Sequence, residues 1–160
     1  MIYPPFFASE AEAARTYIAC GRVALNWGPV EVGLEGILIR LRNRAGDSGE
    51  MWPGGWERKI RDIKDAIKKD IPARNAIYAT ITPLITEAKR LHAIRSNVVH
   101  CLCQGTNING ELMLGKSDQR RGVAYTQTTY TLDMIEQAAD QMCELRPALD
   151  GVFITLKLLG

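Results

Sequence analysis

Apolar residues recur every three or four positions along most of the chain, which is the period of a helix with one buried face. Alternation of apolar and polar residues, which is typical of a half-buried strand, marks a short stretch before the last apolar stripe. The pattern therefore predicts a mostly helical protein. The predicted helices span residues 9–44, 56–70, 72–103 and 132–159.

Capping residues and prolines refine these helices. Ser9 and Glu12 have the spacing of a capping box, and Thr131 is a suitable N-cap for the last helix. Three helices contain a proline, so we expect long helices with kinks, and the first helix kinks or restarts at its proline. The expected break points are Gly28–Pro29, Pro83 and Pro147.

Apolar stripes and helical glycines define the expected core. One stripe consists of Ile60, Ile63 and Ile67, and the glycines of the first helix lie beside another. A glycine costs a helix about 1 kcal/mol against alanine, so we expect another backbone to approach closely there, within the chain or across a dimer. The second stripe is Val30, Leu34, Ile37, Leu38 and Leu41, and the glycines are Gly21, Gly28, Gly33 and Gly36.

A small β-hairpin is predicted before the last helix. Residues 110–115 and 122–131 form its strands, the second rich in Thr and Tyr, with a turn in residues 116–122. The fold class is therefore all-α, a helical bundle with kinked long helices and this hairpin inserted before the last one. A length of 160 residues fits a single domain over residues 1–160.

Charge and cysteine content restrict the class of protein. The net charge is only +2, which does not indicate a nonspecific nucleic-acid coat but permits a local basic patch. No apolar stretch reaches the roughly 18 residues of a membrane span. The chain shows neither a secretory signal nor a disulfide spacing, so we expect a cytoplasmic protein with reduced thiols. Cys20 and Cys143 are expected to be small core residues.

The third helix carries a charged residue inside its apolar stripe. On a helical wheel Arg95 falls between Leu91, Val98, Val99 and Leu102. A guanidinium keeps its proton in proteins, so a buried one must find an acceptor, such as a carboxylate or a ligand phosphate. His100 lies five residues on, about 140° around an ideal helix, so one straight helix does not aim both at one small target. A broken helix end, or a two-fold dimer, would bring them together.

An arginine and a histidine can, without a metal, catalyse the cleavage of RNA by the 2′-hydroxyl of the RNA itself. A histidine transfers protons near neutral pH, and an arginine stabilises charge on the strained phosphate. The stretch from Arg95 to His100 resembles the Arg-x4–6-His motif of ribonucleases in the HEPN superfamily (higher eukaryotes and prokaryotes nucleotide-binding). The resemblance covers about residues 9–103. Ser96 occupies the position after the arginine where the family commonly has Asn, Asp or His, and Asn97 comes one place later.

The resemblance implies a metal-independent endoribonuclease with no cofactor, acting as a homodimer whose cleft combines both motifs. Arg95 and His100 would be its catalytic pair, and Ser96 and Asn97 would support them. Glu31 matches an acidic family position and is the expected partner of Arg95. Apart from the resemblance, the basic residues of the first helix are most simply explained as solvated helix faces, and their functional interpretation is an RNA-binding track that leads to the Arg–His cleft. Those residues are Arg40, Arg42 and Arg44.

Two other interpretations stay open, and a third is disfavoured by its geometry. In the first, the chain is a non-catalytic dimeric interaction module of a defence or toxin–antitoxin system, with an antitoxin or regulatory protein as partner and Arg95 in an interface ion pair. In the second, the helical bundle binds a nucleotide. In the third, the two histidines bind zinc with Cys101 and Cys103, but a Cys-x-Cys pair on a helix points its thiols about 160° apart. We therefore expect no metal site.

Overall fold

The computed structural model describes residue 7 and residues 9–47, 55–118 and 123–160, and it is mostly helical. A small antiparallel sheet precedes the last helix, which confirms the predicted all-α fold class with a minor β element. In chain order the elements are α1 (Glu10–Arg44), α2 (Trp56–Lys69), α3 (Ile71–His100), β1 (Leu102–Thr106), β2 (Leu112–Asp118), β3 (Val123–Tyr130) and α4 (Leu132–Leu158).

The prolines lie inside continuous helices. Pro29 lies within α1, Pro83 within α3 and Pro147 within α4, and none of the three helices is divided into two. The alternative of a restart at Gly28–Pro29 was therefore wrong. A proline removes one hydrogen bond from the helix, and the bonds on either side of it keep the helix continuous.

Helix caps follow the sequence signals closely. The Ser9 hydroxyl accepts a hydrogen bond from the backbone N–H of Glu12 at 3.1 Å, and Thr131 accepts one from Met134 at 3.2 Å, which confirms both predicted caps. Asp70 caps α3, since its carboxylate accepts the N–H of Ala73 at 3.0 Å. The sequence analysis missed this third cap.

The predicted hairpin is part of a three-stranded sheet with the order β1-β2-β3. β2 and β3 pair antiparallel as predicted, with Leu112 opposite Tyr130, and the central residues of their predicted turn, 119–122, lie outside the described residues. Leu102 and Cys103 of β1 were assigned to the end of the third helix, which instead ends at His100. Cys103 of this strand lies opposite Leu114 of β2. Strand pairing with a segment further along the chain therefore decides the conformation after His100.

The chain divides into two compact units. Unit 1 comprises Met1–Trp27 and Arg90–Met142, and unit 2 comprises Gly28–Lys89 and Cys143–Gly160. The core of unit 1 combines apolar side chains from α1, α3, the sheet and α4. Its buried members include Val23, Trp27, Leu91, Leu112, Leu114, Ile135 and Met142.

Unit 2 has its own core, in which the predicted stripe of Ile60, Ile63 and Ile67 is fully buried. A Cβ added to Gly33 would lie 3.3 Å from side-chain atoms of Leu149 and Arg146, so side chains, rather than the predicted backbone, approach closely at this glycine. Gly21 and Gly28 have open space around them, so close packing within the chain does not explain them. Cys143 is exposed, so its assignment to the core was wrong.

Candidate functional site

The candidate site lies in unit 1, where α3 ends and β1 begins. The backbone N–H of Cys101 donates to the carbonyl of Asn97 at 3.0 Å, which closes the last turn of the helix. The backbone then bends at Cys101 and enters the sheet at Leu102. A helix end of this kind leaves the side chains of its last turn without a following turn beside them.

Arg95 and His100 contact each other at this helix end. The distance between Arg95 Nη1 and His100 Nε2 is 2.9 Å. The wheel projection predicted that an unbroken helix would keep the two side chains apart. Both residues lie in α3, which is continuous to His100, and their side chains are in contact, so that prediction was wrong. Five residues rise about 7.5 Å along a helix, and the long arginine side chain spans that rise to reach the ring.

The direction of this hydrogen bond defines the state of the ring. A guanidinium only donates, so Nε2 of His100 accepts the bond and carries no proton in this arrangement. The ring proton then lies on Nδ1. The contact therefore holds His100 with a basic nitrogen that faces a fixed positive charge.

Arg95 lies where the buried face of α3 ends. Leu91 and Ile94, which precede it, are buried, but Val99 is 40% exposed and Arg95 itself is half-buried. The prediction that Arg95 lies in the middle of an apolar face holds for buried Leu91 before it but not for exposed Val99 after it, because packing fades towards the helix end. Among the described residues, Nε of Arg95 is buried and has no hydrogen-bond partner, so one donor of the guanidinium is not used by the protein.

Asn97 connects the motif to the sheet. Its side-chain amide donates to the hydroxyl of Tyr130 at 2.8 Å, and Tyr130 is only 9% exposed at the end of β3. The Cys101 thiol lies 3.8 Å from Oδ1, the side-chain amide oxygen of Asn97. Asn97 was predicted to support the site but Tyr130 was not, because 33 residues separate the two and no local pattern of residues indicates their contact.

The other predicted supporting residues have different surroundings. Ser96 is half-buried beside Arg95. Glu31 belongs to unit 2, where it accepts a hydrogen bond from Lys59 Nζ at 2.9 Å. Partial burial alone would lower the pKa of Lys59, but its hydrogen bonds to Glu35 and Glu31 raise that pKa above its ordinary value. The pairing of Glu31 with Arg95 stays a prediction.

The three predicted RNA-binding arginines lie in unit 2, and each has a partner within the chain. Arg44 Nε donates to Asp70 at 2.7 Å, with both side chains largely buried, and Arg42 Nε donates to Asp47 at 2.8 Å. Arg40 donates to the carbonyl of Lys157 over a long 3.5 Å. The Arg44 hydrogen bond holds the pKa of the Asp70 carboxyl below its ordinary value, with partial burial opposing it.

Metal ligands and membrane spans were sought in the same part of the chain. Within the described ranges, no three His, Cys, Asp or Glu side chains are placed to hold a metal ion together. His92 packs its ring against Trp27, with ring centroids 5.3 Å apart. No helix in the described ranges combines the length and the apolar character needed to cross a bilayer.

Comparisons with protein families, with curated proteins and with solved structures found no match to this chain.

Proposed function

We propose that this protein is a HEPN-like, metal-independent endoribonuclease that cleaves RNA through attack by the 2′-hydroxyl. One observation carries the proposal, the 2.9 Å contact between Arg95 and His100 at the end of α3. The pair combines a basic ring nitrogen with a fixed cation, which are the two groups that this reaction requires. His100 is exposed, so a nucleic acid in the surrounding solvent can reach it.

In the proposed reaction, a phosphate of the RNA draws the Arg95 guanidinium away from His100. The released Nη1 and the neighbouring Nη2 then donate to two phosphate oxygens, the paired geometry that arginine favours. Release of Nη1 also uncovers Nε2 of His100, which accepts the proton of the 2′-hydroxyl. Arg95 thus has two partners in turn, first the histidine and then the phosphate.

Bond changes follow from this proton transfer. The 2′-oxygen forms a bond to phosphorus, the bond from phosphorus to the 5′-oxygen breaks, and the leaving 5′-oxygen takes a proton from water. The products are a 2′,3′-cyclic phosphate and a 5′-hydroxyl end. By the resemblance to HEPN ribonucleases, the cytoplasmic enzyme is a homodimer in which two such pairs share one cleft.

RNA cleavage in EDTA by the wild type and by His100→Ala tests the proposal. Removal of the proton acceptor should lower the cleavage rate by about 100-fold or more, with helical circular dichroism unchanged because the ring is exposed. End-group analysis should find cyclic or 3′-phosphates. Products with a 3′-hydroxyl, or equal rates in both proteins, would reject the mechanism.

A second candidate function is a non-catalytic interaction module of a defence or toxin–antitoxin system. The observation in its favour is an apolar part of α1 in unit 1, where Tyr17, Ile18 and Leu25 are each more than 60% exposed. Exposed apolar side chains of this size often mark contacts with another protein. Substitution of Ile18 and Leu25 by Glu would then abolish the dimer, as measured by light scattering. His100→Ala would leave the dimer intact.

A further inference from the structure

A shallow groove in unit 2 has the composition of a nucleic-acid contact site. It measures about 520 Å³ and lies where α2 ends and α3 begins. Its lining holds two cations, an amide, an aromatic ring and a methyl group, and no carboxylate lines it in the described part of the chain. The lining residues are Lys68, Arg74, Asn75, Tyr78 and Ala79.

The two cations of this groove are less strongly paired than Arg44 of the same unit. Across the described residues, the Arg74 guanidinium makes no hydrogen bond or ion pair, in contrast with Arg44, which binds Asp70. The ammonium of Lys68 lies 3.9 Å from the Asp65 carboxylate, at the outer limit of an ion pair, and both side chains are more than half exposed. Both cations are therefore available to an external anion.

Tyr78 provides an exposed aromatic surface in the same groove. Its side chain is 49% exposed, although tyrosine usually buries much of its ring. Arg74 and Tyr78 are one helical turn apart on α3, so their Cβ atoms lie about 5–6 Å from each other. A guanidinium and a ring at that spacing can reach the phosphate and the base of one nucleotide strand.

We propose that this groove binds single-stranded RNA, with Lys68 and Arg74 on phosphate oxygens and Tyr78 stacked on a base. Proteins that bind single strands combine a cationic groove with an exposed aromatic ring in this way, because every base offers a stacking face. An acidic protein surface would use the cations but not the ring. The choice of RNA rather than DNA rests on the proposed function.

Binding of a fluorescent 2′-O-methyl RNA dodecamer, measured by fluorescence polarisation, tests the groove without any cleavage. Tyr78→Ala should weaken binding about tenfold through the lost stacking. Arg74→Glu should weaken binding and reduce the slope of log affinity against log salt by about 0.7 for the lost phosphate contact. Both changes are on the surface, and thermal unfolding checks that the variants stay folded.

Two matched control variants distinguish binding in the groove from nonspecific attraction between the protein and RNA. Lys116→Glu, at an exposed position on β2, changes the net charge by the same amount as Arg74→Glu. Tyr17→Ala removes another exposed tyrosine ring, one on α1. Neither should change the affinity more than twofold. Equal losses in Lys116→Glu and Arg74→Glu, or wild-type binding by both groove variants, would overturn the proposal.

The same measurement separates this inference from the proposed ribonuclease activity. RNA binding that requires Tyr78 and Arg74, in a protein that cleaves no RNA, would keep the groove and reject the catalytic proposal. Cleavage that depends on His100, with no effect of the groove variants on dodecamer binding, would keep the catalytic proposal and reject the groove. Tighter binding to duplex RNA than to the single strand would also count against the groove, since a paired base cannot stack on Tyr78.

Discussion

Arginines at two helix ends have different partners. At the end of α3, Arg95 donates to a neutral ring nitrogen of His100 and leaves its buried Nε unused within the described residues. At the end of α1, Arg44 makes two hydrogen bonds to the Asp70 carboxylate and one, at 2.8 Å, to the carbonyl of Gly160. The positive charge of Arg95 is therefore available to an anion, whereas the positive charge of Arg44 is compensated by the Asp70 carboxylate.

This difference shows why an arginine in an apolar sequence does not by itself indicate a site. A guanidinium beside a carboxylate has its charge compensated and its donors satisfied, so it contributes mainly to stability. A guanidinium beside a neutral ring retains its positive charge and can exchange that partner for an anion. The partner, rather than the depth of burial, therefore separates a candidate catalytic arginine from a structural one.

Arg95→Ala should have the largest effect on function. Loss of a positioned cation at the phosphate should lower the rate of RNA cleavage by about 100- to 1,000-fold. The unfolding midpoint in urea should change little, because Arg95 is only half-buried. Arg22→Ala is the matched control, since Arg22 lies in the same unit with its guanidinium on Asp140, and it should cleave RNA normally. A folded Arg95→Ala protein with full activity would contradict the distinction between a catalytic Arg95 and a structural Arg44.

Asp70→Asn should have the largest effect on stability. It keeps a side chain able to cap α3 but removes the charge that binds Arg44, at a cost of about 2 kcal/mol in the free energy of unfolding. Urea unfolding at pH 7 measures this, and RNA cleavage should stay at the wild-type rate. Asp47→Asn, which breaks the more exposed pair with Arg42, should cause no measurable loss of stability.

The stability difference between wild type and Asp70→Asn should depend on pH in one direction. The folded state holds the pKa of Asp70 below its unfolded value of about 3.9, so the stabilisation is complete above that pH. It should decline as pH falls towards the lowered folded pKa, where the carboxylate takes up a proton. Urea unfolding from pH 7 to pH 2 should show the two proteins converging. A constant difference across this range would show that Asp70 acts through its shape alone.

Tyr130→Phe should have the smallest effect. It removes the hydroxyl that accepts a hydrogen bond from Asn97, and should lower the free energy of unfolding by about 1 kcal/mol. The measurement is urea unfolding, with Tyr17→Phe as a control at an exposed tyrosine. Equal stability of Tyr130→Phe and wild type would mean that the sheet does not hold the Asn97 side chain in solution.

The predictions from sequence succeeded where the structure depends on neighbouring residues. The caps at Ser9 and Thr131, and the buried stripe of Ile60, Ile63 and Ile67, all follow from residues within a few positions of each other. For the candidate site, the sequence named Arg95, His100 and Asn97. It left open whether the arginine and the histidine meet, and it missed Tyr130.

Sequence alone determined the helical fold class, two of the helix caps and the motif, because helical hydrogen bonds and caps join residues three or four positions apart. Tertiary structure decided which arginines are neutralised and where α3 ends. Arg44 and Asp70 are 26 residues apart, and Leu102 of β1 pairs with Gly115 of β2. Such contacts depend on how distant segments of the chain pack, and the local pattern of residues does not predict them.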